Sequence, residues 1–385
     1  MRKLKILQVN KLYYPVRGGI EKVVQQLAEG LNDITNMRVL VCQQKGKSTD
    51  EIINGVKVHR SSSKGILFSL PISFTFFIDM KKMLSNIDVL QIHMPFPLAD
   101  IAFLMTGYKG KVVLWWHSDI VRQKKMMFFY KPIMTHLLRR ADKIIVATEG
   151  HIEGSAYLKP YHQKCVVIPY GVDNEVISRG ESYLEKKSKQ KQYELNNKDK
   201  KTQDIVKFLF TGRLVYYKGC DILLKAFVNV PNAILTLIGT GTMESELKKM
   251  ASDLGLMNRV RFLGDVSIEE LYKEYEECDV FILPSILRSE AFGLVQIEAM
   301  AFGKPVINTK LPSGVPYVSL HNITGLTVEP GNIDELKKAM IWMTEHPEER
   351  LIMEKEARRR VIDNYTIENM LDNVLELYEL VMKEG

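Results

Sequence analysis

Arg213 and Lys218 stand five positions apart in Thr211-Gly212-Arg213-Leu214-Val215-Tyr216-Tyr217-Lys218-Gly219, bracketed by glycines. Two cations that leave a strand and enter a helix suit a diphosphate: the guanidinium makes forked contacts, and the ammonium acts as a point charge. A solvated basic pair has the same composition, but the glycines and the strand–helix position favour a ligand. A second segment, PSILRSEAFGLVQIEAM over residues 284–300, runs from a strand through a polar loop into a helix. Glu290 lies in that loop and Glu298 about a turn inside the helix. Each carboxylate can accept two hydroxyl hydrogen bonds, which a sugar ring or a ribose diol offers. The Phe292 and Gly293 amides open the helix and can face a phosphate. An acidic residue near a helix start also favours the helix dipole. That accounts for one glutamate, but not for the loop glutamate, the glycine and the second glutamate together.

Two more loops are weaker signals. Tyr13-Tyr14-Pro15-Val16-Arg17-Gly18-Gly19 precedes a helix. Its paired glycines let a backbone approach a ligand, and serve equally as turn residues. In Trp115-Trp116-His117-Ser118-Asp119, His117 and Asp119 follow a strand where a substrate could reach them. A lone histidine there is more often a satisfied polar group. Gly46-Lys47-Ser48 lacks the upstream glycine of a phosphate-binding loop, and Gly239-Thr240-Gly241 has Glu244 where a dinucleotide fingerprint needs its third glycine. The chain has no H-E-x-x-H pair, EF-hand loop or spaced Cys/His cluster, so no metal is expected.

The elements that must carry these loops alternate. Strands are expected at Lys5–Val9, Arg38–Cys42, Val89–His93, Lys111–Trp116, Lys143–Ala147 and Cys165–Pro169. The pattern resumes at Lys207–Phe210, Ile234–Ile238, Val260–Leu263, Val280–Leu283 and Pro305–Thr309. Helical stretches at Gly19–Leu31, Asp221–Phe227, Met243–Leu254, Ile268–Glu277 and Leu294–Phe302 separate them. Such α/β alternation argues for parallel sheets covered on both faces, and two arrays in sequence for two doubly wound, Rossmann-like domains. In open α/β sheets ligands bind beyond the carboxyl ends of the strands, where all four loops fall. The first domain is expected over residues 1–175 and the second over 205–365. Between them residues 176–204, rich in Lys, Glu, Gln and Asn, read as a charged linker or surface excursion. Met370, Val374, Leu377 and Val381 recur at helical spacing after Thr366, predicting a last helix, about residues 366–385, that packs back on a neighbour.

Hydrophobic residues make up 46% and charged residues 26% of the chain, as in a globular protein. A net charge of +7 suggests an anionic partner. Nucleic acid is not favoured, because the lysines of 181–204 are mixed with acids and lack aromatic platforms. The four cysteines are scattered, as in a reduced cytoplasmic protein. The apolar run at 6–9 is too short for a signal peptide, and the apolar stretch Ile66–Ile78 falls short of the ~20 residues of a bilayer span. Residues 120–143 mix bases with Met, Phe, Tyr and Leu; such a stretch lies at an anionic membrane surface or packs on its own sheet.

GRLVYYKG (212–219), LIGTGTMESEL (237–247), FLGDVSIEEL (262–271), SEAFGLVQIEAMAFGKPVI (289–307) and IPYGVD (168–173) occur in an order that resembles the retaining GT-B glycosyltransferases of family 4. The resemblance spans nearly the whole chain and implies two domains facing across a cleft, with the last helix on the N-terminal one. It implies that Arg213 and Lys218, beside Gly212, hold the donor diphosphate. Glu290 would touch the transferred sugar and Glu298 the nucleotide ribose, with Phe292, Gly293 and Leu294 offering amides. Gly18 and Gly19 would close over the phosphate, His117 would face the sugar, and Asp119 is assigned to the acceptor. Residues 264–266 (Gly264, Asp265, Val266) mark the base pocket.

WHSDIVRQK (116–124) and RSEAFGLVQIEAMAFGKPV (288–306) are most similar to bacterial O-antigen and capsule enzymes, among which mannosyltransferases using GDP-mannose are prominent. A nucleotide sugar is then the co-substrate and no cofactor is needed, since preplaced cations and amides stabilise the departing phosphate. The implied acceptor is a polyprenyl-diphosphate-linked saccharide at the cytoplasmic face of the membrane. A sugar-nucleotide epimerase, a phosphorylase and a non-catalytic nucleotide-sugar-binding protein remain as alternatives.

Overall fold

The computed structural model describes residues 2–16, 18–67, 70–120, 124–197 and 205–384. The chain divides into two compact units, Met1–Tyr170 with Glu368–Gly385, and Gly171–Ile367.

The first unit holds strands β1 (Lys5–Val9), β2 (Asn36–Cys42), β3 (Thr49–Ile53), β4 (Val56–Ser61), β5 (Ile66–Leu67) and β6 (Leu70–Pro71). Strands β7 (Val89–Met94), β8 (Lys111–Trp116), β9 (Lys143–Val146) and β10 (Cys165–Val167) follow. The main sheet runs β10-β9-β8-β7-β1-β2-β4-β3, parallel except for β3 against β4, while β5 and β6 form a separate hairpin. Every residue of β7 is buried, as expected of a strand covered on both faces. Helices α1 (Gly19–Leu31), α2 (Thr75–Met83), α3 (Pro97–Thr106), α4 (Lys124–Arg140) and α5 (Glu149–Gly154) belong to this unit. α1 sets Val23, Val24, Leu27, Ala28 and Leu31 inward, and α2, α3 and α4 feed a core with Phe76, Phe103, Met134 and Leu137.

The second unit opens with α6 (Asn174–Asn197), and its sheet is β13-β12-β11-β14-β15-β16, all parallel. These strands are β11 (Val206–Thr211), β12 (Ala233–Ile238), β13 (Val260–Gly264), β14 (Val280–Ile282), β15 (Val306–Thr309) and β16 (Gly325–Val328). They are covered by α7 (Cys220–Phe227), α8 (Glu244–Asp253), α9 (Ile268–Glu277), α10 (Leu294–Ala301), α11 (Val315–Val318), α12 (Ile333–Glu345) and α13 (Pro347–Asn364). The chain builds outward from β11 through β12 to β13, then crosses back to lay β14 on the other side of β11. Winding reverses between β11 and β14, where doubly wound sheets hold their ligands. Finally α14 (Ile367–Lys383) joins the first unit, and its Tyr378 exchanges hydrogen bonds with Gln8 and Gln91.

The linker expected over 176–204 is corrected through residue 197: it is the body of α6 and belongs to the second unit. Val176, Gly180, Tyr183, Leu184 and Lys187 recur at helical spacing beneath the Lys/Glu-rich composition. Tyr183 accepts from Lys304 Nζ at 2.9 Å, and Arg179 and Lys187 pair with Glu276 and Glu354. Residues 198–204, Arg17 of the first glycine loop and 121–123 of the basic–apolar segment lie outside the described residues. The sequence pattern also missed β3 and β4. Thr49–Ile53 is an exposed edge strand with acidic residues, so its composition resembles a loop.

Candidate active site

The loops after β11 and β14 meet at the reversal of the second sheet. Ile286 N–H donates to Tyr217 carbonyl oxygen at 2.8 Å, stitching one loop to the other. Lys218 is buried, and its Nζ lies 2.5 Å from Glu290 Oε2. Ser285 Oγ donates to the same carboxylate oxygen at 3.1 Å. Ser285 is held in turn by Thr309, whose hydroxyl donates to its carbonyl at 2.6 Å. Arg213 is exposed, and its guanidinium donates to Tyr217 Oη at 3.0 Å. One cation is thus fixed in the floor of the site and the other extends beside it, both on one strand-to-helix turn.

Gly212 is held by its N–H to Ile238 carbonyl oxygen at 2.9 Å, and Leu214 N–H bonds Thr240 carbonyl oxygen at 2.8 Å. Gly239 explains how the two turns come so close. It has φ +122°, and a Cβ there would lie 2.1 Å from Gly212 carbonyl oxygen. The Gly239-Thr240-Gly241 run is therefore no dinucleotide fingerprint but the bed on which the Arg213 turn rests.

Gly293 caps α10 at φ +75°, a left-handed conformation open to glycine. The side chain of Gln296 reaches back to Phe292 carbonyl oxygen at 2.8 Å, and buried Phe292 packs edge-on against Tyr365. Gly293 and Leu294 thus begin α10 with their amides at its positive end. On the same helix Glu298 accepts from Tyr275 Oη at 3.2 Å, and Tyr275 also reaches Thr211 Oγ1 at 3.2 Å. Both glutamates are oriented from behind, Glu290 by Ser285 and Glu298 by Tyr275. Sequence spacing passed over both supports: Ser285 shares the loop of Glu290, where no regular period pairs them, and Tyr275 lies on α9. Gly264 ends β13, the edge strand of this half-sheet, and accepts from Gly239 N–H at 2.7 Å, and Asp265 and Val266 follow it.

In the first unit Gly18 and Gly19 are exposed at the start of α1. The Glu21 carboxylate crowds the side of Gly18 where a Cβ would stand, over the helix start that was expected to meet an anion. His117, expected to face a sugar, is buried with both ring nitrogens engaged: Nδ1 with Tyr170 Oη at 2.7 Å and Nε2 with His93 Nδ1 at 2.8 Å. Burial, with His93 and then His151 and Lys11 nearby, holds its pKa well below the ordinary 6.5. Asp119 is half-buried, and its Oδ1 accepts from Trp116 Nε1 at 3.1 Å and Ser155 Oγ at 2.7 Å. These two side chains are tied into their own unit more closely than their loop positions suggested. His93 and Tyr170 were not expected to matter at all.

Set against known proteins, residues 186–360 match the family described as Glycosyl transferases group 1, and residues 17–176 match Glycosyltransferase Family 4. The D-rhamnosyltransferase WbpZ of Pseudomonas aeruginosa is 32% identical over 94% of this chain and 92% of its own length. The O-antigen chain mannosyltransferase C of Escherichia coli is 30% identical over 99% of both. Among solved structures, sucrose-phosphate synthase from Thermosynechococcus elongatus superposes with a TM-score of 0.76 over all of both chains at 18% identity, a likeness of fold. Two Rossmann-like units, a cation-and-carboxylate site at the reversal of the second sheet and whole-length relatives agree: the chain belongs to the GT-B glycosyltransferases of family 4 and is an enzyme that transfers a sugar.

Proposed function

We propose that the enzyme moves a hexose, with retention at the anomeric carbon, from a nucleoside-diphosphate sugar to a hydroxyl of a lipid-linked oligosaccharide in O-antigen synthesis. The observation that carries the donor assignment is the buried Lys218–Glu290 pair beside Gly212 and Arg213. A cation and a carboxylate held together at a sheet reversal suit a phosphate joined to a polyhydroxylated ring. Mannose from GDP-mannose is the donor we favour. The whole-length relatives are named for a mannosyl and a D-rhamnosyl transfer, and D-rhamnose is 6-deoxy-D-mannose.

In this reading the bond from C1 to the phosphate oxygen breaks and its electron pair goes to the diphosphate. Arg213, Lys218 and the amides of Phe292, Gly293 and Leu294 stabilise that charge. Glu290 binds hydroxyls of the transferred sugar and Glu298 the ribose. The acceptor oxygen bonds C1 from the face the diphosphate leaves, and its proton passes to the leaving phosphate oxygen. The cations supply the charge stabilisation, so no metal or cofactor is assigned. In the first unit Gly18, Gly19 and His117 are assigned to the donor and Asp119 to the acceptor.

The lipid side of the reading draws support from exposed apolar residues. Phe128 and Phe129 on α4 are 79% and 78% exposed, and Phe74, Ile78, Leu104 and Met105 also face outward in this unit. Among the described residues no helix is long and apolar enough to cross a membrane. The exposed residues support our reading of a peripheral position on an anionic, cytoplasmic-face surface, and sedimentation with anionic vesicles at low salt tests it.

A melting-temperature screen of GDP, UDP, ADP and dTDP tests the donor, since a true ligand stabilises by mass action. GDP is expected to raise it most, and a clear preference for UDP overturns the mannose assignment. Glu290→Ala should abolish transfer while the fold persists; unchanged turnover refutes the site. Conversion of the donor into a second nucleotide sugar without acceptor would mark an epimerase instead.

A further inference from the structure

Proton positions along a buried chain of side chains in the first unit follow from what each atom can donate. Gln8, Gln91, His93, His117, Tyr170 and Tyr378 are all buried. Tyr378 Oη donates to Gln91 Oε1 at 2.5 Å and accepts from Gln8 Nε2 at 3.1 Å. That orientation turns Gln8 Oε1 toward His93, whose Nε2 lies 2.6 Å away. An amide oxygen only accepts, and the Gln91 amide nitrogen, 3.3 Å from the same His93 nitrogen, donates to Gln8 Oε1 at 3.2 Å, so the shorter contact places the single proton of a neutral His93 on Nε2 and leaves Nδ1 as an acceptor. His93 Nδ1 is 2.8 Å from His117 Nε2, so His117 also carries its proton on Nε2. His117 Nδ1 is then left to accept from the Tyr170 hydroxyl at 2.7 Å.

Two further observations fit this arrangement. His117 lies nearly coplanar with His93, edge to edge along their hydrogen bond, and close to parallel with Trp115 and Tyr170, with interplanar angles of 11°, 5° and 15°, so its ring nitrogens point along the row of hydrogen bonds. Burial also keeps both imidazoles neutral at neutral pH, His93 at about 3 and His117 well below its ordinary value. The groups facing His117 are His93, His151 and Lys11, none of which supplies a negative charge to hold an imidazolium.

We infer that His93 is a positioning residue: by accepting from His117 Nε2–H it holds His117 in the tautomer whose Nδ1 accepts, so that His117 reads a hydroxyl donor and carries no proton in the reaction. The inference rests on the assignment of His117 to the donor sugar. A sugar hydroxyl and the Tyr170 hydroxyl are the same kind of group and compete for Nδ1. Without His93, the Nε2–H would be buried with no acceptor. The other tautomer, with Nδ1–H donating to Tyr170 Oη, would then cost less.

The test compares the full chain with His93→Leu, His93→Asn and His117→Ala. Ring nitrogen-15 spectra of histidine-labelled protein report each tautomer, and loss of a signal in His117→Ala assigns it. The expected result is Nε2–H at His117 in the parent and in His93→Asn, whose amide oxygen can still accept, and Nδ1–H in His93→Leu. Turnover should fall about tenfold or more in His93→Leu and return to within about threefold in His93→Asn, as expected for one oriented hydrogen bond. Nδ1–H or a charged ring at His117 in the parent refutes the proton order. Full turnover in His93→Leu beside an impaired His117→Ala refutes the positioning role. Equal losses in both His93 variants, each matched by a lower melting temperature, mark a packing role and refute it too. Full turnover in His117→Ala strikes instead at the donor assignment.

Discussion

Replacing Lys218 by methionine keeps much of the side chain's volume and removes its charge. Glu290 would remain buried, its side chain 11% exposed, with the Ser285 hydroxyl at 3.1 Å. Breaking a buried ion pair by removing one partner costs about 3–5 kcal/mol, because the other charge is stranded. The surviving hydroxyl bond places this case at the lower end, about 3 kcal/mol. For a unit of this size each kcal/mol moves the melting temperature by about 2–4 °C, so the second unit's transition should fall by roughly 6–12 °C. Glu290→Leu strands the ammonium instead and should fall comparably. The double variant Lys218→Met/Glu290→Leu removes both charges and should lose only about 1 kcal/mol against a sum of about 6, a coupling of roughly 5 kcal/mol. Differential scanning calorimetry on the parent, both single variants and the double variant measures this cycle, while transfer should be lost in all three variants. If the double variant melts as low as the sum of the single losses, the two groups are not a coupled buried pair and the site geometry is wrong.

Arg213 differs from Lys218 in being exposed, so Arg213→Ala should change stability by no more than about 0.5 kcal/mol. Its transfer rate should still drop about 10²–10³-fold if it faces the departing phosphate; a steady-state assay with wild-type rates rules that role out. Gly239→Ala forces a Cβ to within 2.1 Å of the Gly212 carbonyl at φ +122°, so nucleotide binding by calorimetry should be lost along with the bed of the Arg213 turn. Unaltered affinity would show that the turn does not depend on that approach. His59 lies between Asp50 at 2.8 Å and Asp79 at 3.2 Å. Burial alone would lower its pKa, but hydrogen bonds to the two carboxylates and their charge raise it above 6.5. The raised folded value means that the pair's stabilisation is complete below the unfolded pKa of 6.5 and is lost as pH rises through the folded one. Urea unfolding at about pH 6 and about pH 8 should show this loss in the parent and not in His59→Gln, and identical pH dependence in both would contradict it.

The sequence by itself determined many of the elements and pointed to the loops of the candidate site. Apolar runs such as Lys5–Val9 and Lys111–Trp116 are strands with those bounds, and Gly19–Leu31 and Ile268–Glu277 are helices with those bounds. Periodicity is a local property of the backbone, so it survives without knowledge of neighbours. The spacing of Arg213 with Lys218 and of Glu290 with Glu298 was legible for the same reason: each pair sits on one turn or one loop and helix. Composition misled where a thin apolar stripe was enough, as on α6, whose buried face is a handful of residues among lysines and glutamates.

Only the tertiary structure decided which loops meet. Lys218 and Glu290 lie 72 positions apart and touch because winding reverses between β11 and β14. Tyr378 finds Gln91 across 287 residues, and His117 finds Tyr170 across 53, because sheet order brings distant strand ends and the last helix together. A buried polar group must be paired, and its partner is whatever the fold delivers to that point. That is why His117 looked like an isolated loop histidine in the chain and is, in the folded protein, one member of an ordered row of hydrogen bonds.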